Sequence, residues 1–129
     1  MAAKLEHVNF TVPDPDKTAA WLCKLFDWHV RWSGTAINGG YTVHVGSDDQ
    51  YLAIYTGPGG AAEQQPAIDS YSVAGGFNHV GIVVDDLDAI EAKVKAMGFK
   101  THSHADYEPG KRFYFHDDDG IEYEMVSYA

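Results

Sequence analysis

Three residues of this chain could together hold a metal ion. His7 stands in "LEHVNFTVPD", His79 stands in "FNHVGIVVDD" 72 residues later, and Glu124 stands near the end in "IEYEMVSY". Each histidine precedes a valine and an alternating apolar run that ends at acidic residues. Residues two apart on a strand share a face, so His7 points with Asn9 and Thr11, and His79 with Gly81 and Val83. On the final strand Glu122, Glu124 and Val126 share one side. Two imidazoles and a carboxylate brought together make a facial site that binds a divalent ion and leaves positions open for substrate or oxygen. A lone strand histidine is more often a packed or solvated residue. The matched placement of two of them in a repeat is what favours the metal reading.

The elements that would carry these residues repeat as well. Residues 5–12 alternate as a strand ended by Pro13, and Asp14 or Asp16 can cap a helix with Ala19, Trp21, Leu22, Leu25 and Phe26 at helical spacing. Three short strands follow, "HVRWSGTA", "YTVHVGS" and "QYLAIYTG", separated by Asn-Gly-Gly and Ser-Asp-Asp turns. The second half runs in the same order. A strand over 77–84 leads to a helix over about 86–98 with Leu87, Ile90, Val94 and Met97 on one face, closed by Gly98. The strands "KTHSHADY", "KRFYFHD" and "IEYEMVSY" complete it, the last two joined by a "DDDG" turn. The spacing predicts an α+β protein of two β-α-β-β-β modules with curved mixed sheets, one domain over 1–129. Module 1 covers about 4–57, a Gly- and Pro-rich linker about 58–75, and module 2 about 76–128. His7 to Ala53 spans 46 residues and His79 to Glu124 spans 45, so Ala53 and Glu124 correspond. A four-stranded module leaves one sheet face open and needs a partner, which predicts a homodimer or pairing within the chain.

Composition narrows the function. With a formal net charge of −10 the chain repels nucleic acid and anionic lipid, so neither is expected as a partner. No apolar run approaches the roughly 18 residues that span a bilayer. Cys23, the one cysteine, lies among Trp21, Leu22, Leu25 and Phe26 and reads as a packed thiol. A cytoplasmic protein acting on a small molecule is the expectation. Arg112 and His116 share a strand face with Tyr114, and Arg112 is placed to meet an anionic substrate. Asn9 beside His7, and Tyr55 in an aromatic set with Trp32, Tyr41 and Tyr51, are the other candidates for substrate contact. His102 and His104 in "THSH" are expected on one strand face, turned to solvent.

The motifs "EHVNFTV", "NHVGIVVDDLD" and "FYFHDDDGIEYEMV", spread over essentially the whole chain, resemble the vicinal oxygen chelate superfamily. That group includes glyoxalase I, bleomycin-resistance proteins, fosfomycin-resistance thiol transferases and extradiol dioxygenases. The resemblance implies paired modules around a divalent metal (Fe2+, Mn2+, Ni2+, Co2+ or Zn2+) held by His7, His79 and Glu124. It also implies that Tyr114, ten residues before Glu124, faces that metal as a catalytic acid or orienting group. Where glyoxalase I carries a fourth ligand this chain has Ala53, and where it grips glutathione the chain has Thr11 and Gly57. Dioxygenase-like chemistry is therefore slightly favoured over a glyoxalase-type lyase or isomerase and over fosfomycin-type transfer. The bleomycin-resistance branch supplies the contrasting expectation, a binding protein that needs no metal.

Overall fold

The computed structural model describes residues 1–60 and 69–129. The chain divides into two compact units, Met1–Gln64 and Gln65–Ala129.

In the first unit β1 (His7–Thr11) stops short of Pro13, which has no amide to donate. Asp14 then caps α1 (Pro15–Phe26), its carboxylate accepting from the Lys17 amide at 3.2 Å. Thr18, Ala19, Leu22 and Leu25 form the buried stripe of this helix, and the half-buried Cys23 lies beside it. Burial lifts the Cys23 thiol pKa, as suits a packed side chain rather than a nucleophile. Three strands follow: β2 (His29–Thr35), β3 (Tyr41–Gly46) and β4 (Tyr51–Thr56). The sheet order is β1-β4-β3-β2, with β1 parallel to β4 and the remaining pairs antiparallel. Phe10, Val43, Val45, Leu52 and Ile54 are buried and make the core with α1. Each such side chain contributes about 1.5–3 kcal/mol by leaving water.

The second unit repeats this plan with β5 (Val80–Val83), α2 (Leu87–Ala96), β6 (Thr101–Tyr107), β7 (Gly110–His116) and β8 (Glu122–Ser127). Its order, β5-β8-β7-β6, matches the first, again with one parallel pair. Two helices and eight strands in two mixed four-stranded sheets are the architecture the repeat predicts. Asp86 caps α2 by accepting from the Ala89 amide at 3.0 Å. Of the expected stripe only Val94 is fully buried, while Leu87, Ile90 and Met97 are half-covered. Phe113, Phe115, Tyr123 and Met125 supply the rest of the core on the helix side. The "DDDG" segment is the expected turn, closed by Asp117, whose carboxylate accepts from the Asp119 and Ile121 amides at 2.9 Å each.

Three details differ from the sequence expectation. β5 begins at Val80 rather than 77, so His79 lies one residue ahead of the strand. Of the expected linker, residues 61–68 lie outside the described residues, and Ser70–Ser72 form a 3-10 turn rather than structureless chain. Finally, β6 carries a bulge between His102 and Ala105, with Ser103 in the left-handed region at φ 57°.

Candidate functional site

The strand registers place the predicted residues in matched positions within each sheet. In the first unit Asn9 pairs with Ala53, and His44 flanks Ala53 from β3. In the second unit Gly81 pairs with Glu124, and Tyr114 flanks Glu124 from β7. Ala53 is thus the counterpart of Glu124, as the spacing implies, and His44 is the counterpart of Tyr114. All of these stand on the sheet face opposite the helix.

In the second unit this face is a hydrogen-bonded network. His79 Nε2 lies 3.5 Å from Glu124 Oε2, and His79 Nδ1 lies 3.6 Å from Glu122 Oε1. The Tyr71 hydroxyl donates its proton to Glu122 and sits 3.0 Å from His79 Nδ1. Having spent that proton, Tyr71 can only accept from His79, so Nδ1 carries the hydrogen. Nε2 is then the ring nitrogen that faces the Glu124 carboxylate. An imidazole nitrogen and a carboxylate oxygen at this separation can share one cation. The donor set fits a divalent metal, and Tyr71 supplies the outer hydrogen bond that would orient His79 toward it.

Glu124 has two further partners. Tyr114 donates its phenolic proton to Oε2, and Arg112 Nη1 lies 3.6 Å from Oε1. The carboxylate beside it, then burial, push Tyr114 up to about 12, so it remains a protonated donor at neutral pH. Arg112 also donates to the Gly110 carbonyl at 3.3 Å and lies over the Tyr107 ring at 4.8 Å. Its buried Nε has no hydrogen-bond partner among the described residues.

The histidines of β6 depart from expectation. Side chains alternate along a regular strand, so His102 and His104 should share a face; the bulge adds a residue and separates them. His102 Nε2 reaches His116 Nδ1 at 3.1 Å on the face of Tyr114. His104 instead reaches Glu91 of α2 at 2.6 Å and stacks on Phe113 on the helix side. His116 Nε2 lies 3.2 Å from Glu122 Oε2.

The matching face of the first unit is aromatic. His7 stacks on Tyr51 at 4.9 Å, His44 stacks on Tyr51 at 4.5 Å, and Trp32 packs on His44 at 5.2 Å. Burial, chiefly, lowers the pKa of His44. His7 Nδ1 contacts Glu6 at 2.9 Å, and Tyr51 donates to the same carboxylate at 3.0 Å. Tyr55 spends its hydroxyl on the Ile37 carbonyl at 2.9 Å. Tyr41 lies outside the expected aromatic set, because its hydroxyl donates to Asp16 of α1 at 2.7 Å on the helix side. His44 and Tyr71 are residues that sequence reasoning passed over, and Glu122 was placed on the side of Glu124 without a role. Carrying Tyr114 back through the repeat would have pointed to His44, whereas Tyr71 sits in a stretch with no periodicity to place it.

A family model described as Glyoxalase/Bleomycin resistance protein/Dioxygenase superfamily matches residues 4–125. Among solved structures, the protein SMU.1112c superposes with a TM-score of 0.75 at 22% identity, covering 98% of this chain and 99% of that one. A glyoxylase/bleomycin resistance protein/dioxygenase domain from Frankia sp. EAN1pec gives 0.73 at 21% identity, covering 98% of each. The fosfomycin resistance protein FosX from Listeria monocytogenes, complexed with Mn(II) and sulfate, gives 0.73 at 18% identity, covering 100% of this chain and 93% of that one. No curated protein matches the chain.

Proposed function

Because the chain belongs to the glyoxalase/bleomycin resistance protein/dioxygenase superfamily, we propose that it is a metal-dependent enzyme whose ion is held by His7, His79 and Glu124. The observation that carries this reading is His79 Nε2 lying 3.5 Å from Glu124 Oε2. A divalent ion bound there supplies Lewis acidity to two neighbouring oxygens of a small substrate. The chain's own residues orient and hold protons around it. Tyr71 fixes the His79 ring, and Tyr114 stays protonated as hydrogen-bond donor and catalytic acid. Arg112 stands beside Glu124 as the cation for an anionic substrate oxygen, with Asn9 and Tyr55 as further substrate contacts. Ala53 adds no fourth ligand at the matched position, which leaves room for a chelating substrate. Dioxygenase-type chemistry with Fe2+ is the first expectation, and lyase, isomerase or transfer chemistry with Mn2+, Ni2+, Co2+ or Zn2+ the second. The same reading makes the protein a cytoplasmic homodimer that binds neither nucleic acid nor membrane, in keeping with its charge of −10.

One observation favours a different reading, a metal-free binding protein. Glu124 already accepts from Tyr114 and faces Arg112 at 3.6 Å, so its charge is compensated without an ion. Metal content decides between them. Protein prepared anaerobically without chelators, then made metal-replete, should hold close to one ion per chain at this site. The His79→Ala variant should lose that ion. A content below about 0.1 per chain, or an ion retained undiminished by His79→Ala, overturns the enzymatic reading.

A further inference from the structure

His102, His116 and Glu122 form a second constellation, separate from His7, His79 and Glu124 and contained in the second unit. They come from β6, β7 and β8, and one ligand atom from each lies within 4.8 Å of the others. Atoms bound to one tetrahedral ion sit roughly 3.3 Å apart. The two short contacts use different nitrogens of His116, Nδ1 at 3.1 Å from His102 Nε2 and Nε2 at 3.2 Å from Glu122 Oε2, and one ion would take only one of these nitrogens. The His116 side chain is 49% exposed and stacked on the His102 ring at 5.0 Å, and a rotation of the His116 ring would bring the chosen nitrogen into the shell.

Both flanking ligands are oriented from behind. His102 Nδ1 lies 2.8 Å from Ser103 Oγ, which leaves Nε2 directed at the site. Tyr71 donates to Glu122 Oε1, leaving Oε2 for a ligand. Such outer hydrogen bonds set the tautomer and angle of metal ligands. The bulge that brings His102 to this face holds Ser103 at φ 57°, a conformation costly for a residue other than glycine. A regular strand would have avoided that cost and sent His102 and His104 the same way.

We propose that His102, His116 and Glu122 bind a divalent transition-metal ion of the imidazole-preferring class (Zn2+, Ni2+, Co2+ or Cu2+) as a site of their own, clipping β6 to β8 across β7. Mg2+ and Ca2+, which prefer all-oxygen shells, do not bind there. The site shares no ligand with the proposed catalytic set and touches it through Tyr71, which bonds both His79 and Glu122, and through the 3.6 Å contact of His79 Nδ1 with Glu122 Oε1.

Calorimetric titration with Zn2+ alone tests the site on full-length protein stripped of metal. The background is the His7→Ala/His79→Ala double variant, which removes two ligands of the proposed catalytic ion. It should still take up one Zn2+ per chain and melt at a higher temperature with Zn2+ than without. Adding His102→Ala or His116→Ala should weaken that binding at least tenfold, and His102→Asn and His116→Asn replace them if either alanine variant melts early without metal. No Zn2+ bound by the double variant, or binding unchanged by both histidine substitutions, overturns the inference. The two proposals fail separately. One ion in wild type that survives His7→Ala/His79→Ala supports this site and removes the catalytic one, and one ion lost with those substitutions does the reverse.

Discussion

Asp117 is 7% exposed and closes the β7–β8 turn with two backbone hydrogen bonds. Burial raises its pKa from 3.8 to about 6, although the Ile121 and Asp119 amides pull the other way. A raised acid binds its proton more tightly in the folded chain than in the unfolded one. Between about pH 4 and pH 6 the folded state therefore carries the extra proton, and stability falls as pH rises through that window. The cost is complete above about pH 6 and reaches about 3 kcal/mol for a shift of this size. Asp117→Asn keeps an oxygen to accept from both amides and carries no charge. Its melting temperature should gain on wild type as pH rises from about 4 to 6.5, and parallel curves for the two proteins would refute the assignment. At the proposed catalytic face Tyr114→Phe removes the proton given to Glu124 while keeping the ring. Once a substrate is known, kcat should fall by about 10²–10⁴-fold if Tyr114 is the acid, with metal content unchanged. An unaltered kcat leaves Tyr114 as packing.

At the scale of elements, β6 is the unusual strand, because a serine occupies a left-handed backbone position in its bulge. Ser103→Gly relieves that strain and should hold or raise stability. Ser103→Val forces a β-branched side chain into the same conformation and should cost about 1–2 kcal/mol. Denaturant unfolding of the pair reads the difference, and equal stabilities would show that the bulge does not persist in solution. The helices are unequal in their anchorage. α1 buries five residues, whereas α2 buries only Val94 completely. Val94→Ala should therefore cost about 2 kcal/mol through lost burial and the void left behind, and amide exchange in α2 should be faster than in α1.

For the whole molecule the acidic balance and the sheet face that each unit's own helix leaves uncovered matter most. A net charge of −10 repels itself in the folded state. Screening by salt should then raise the melting temperature between low and physiological ionic strength. The homodimer proposed above is checked by light scattering at micromolar concentration, where two chains per particle are expected and a single chain rejects the proposal. If metal sites are shared between chains, mixing His7→Ala with Glu124→Ala protein should restore one complete site in each mixed dimer.

Much of this was legible in the chain itself. The doubled strand–helix–three-strand pattern is local, because period-2 and period-3.6 alternation are properties of neighbouring residues. The cap of α1 as one of two aspartates, the ends of seven strands to within a residue or two, and the match of Ala53 to Glu124 followed from it. His79 beside Glu124, and Tyr114 beside both, were implied by the resemblance and brought together by the parallel pairing of β5 with β8. Other features needed tertiary structure. "THSH" reads as plain alternation, and only the partner strand β7 reveals the extra residue that sends His102 to His116 and His104 to Glu91. Tyr71 meets Glu122 across 51 positions of sequence from a segment with no pattern. Periodicity determines which face a side chain takes while a strand stays regular; irregular register and long-range hydrogen bonds are decided by what packs alongside.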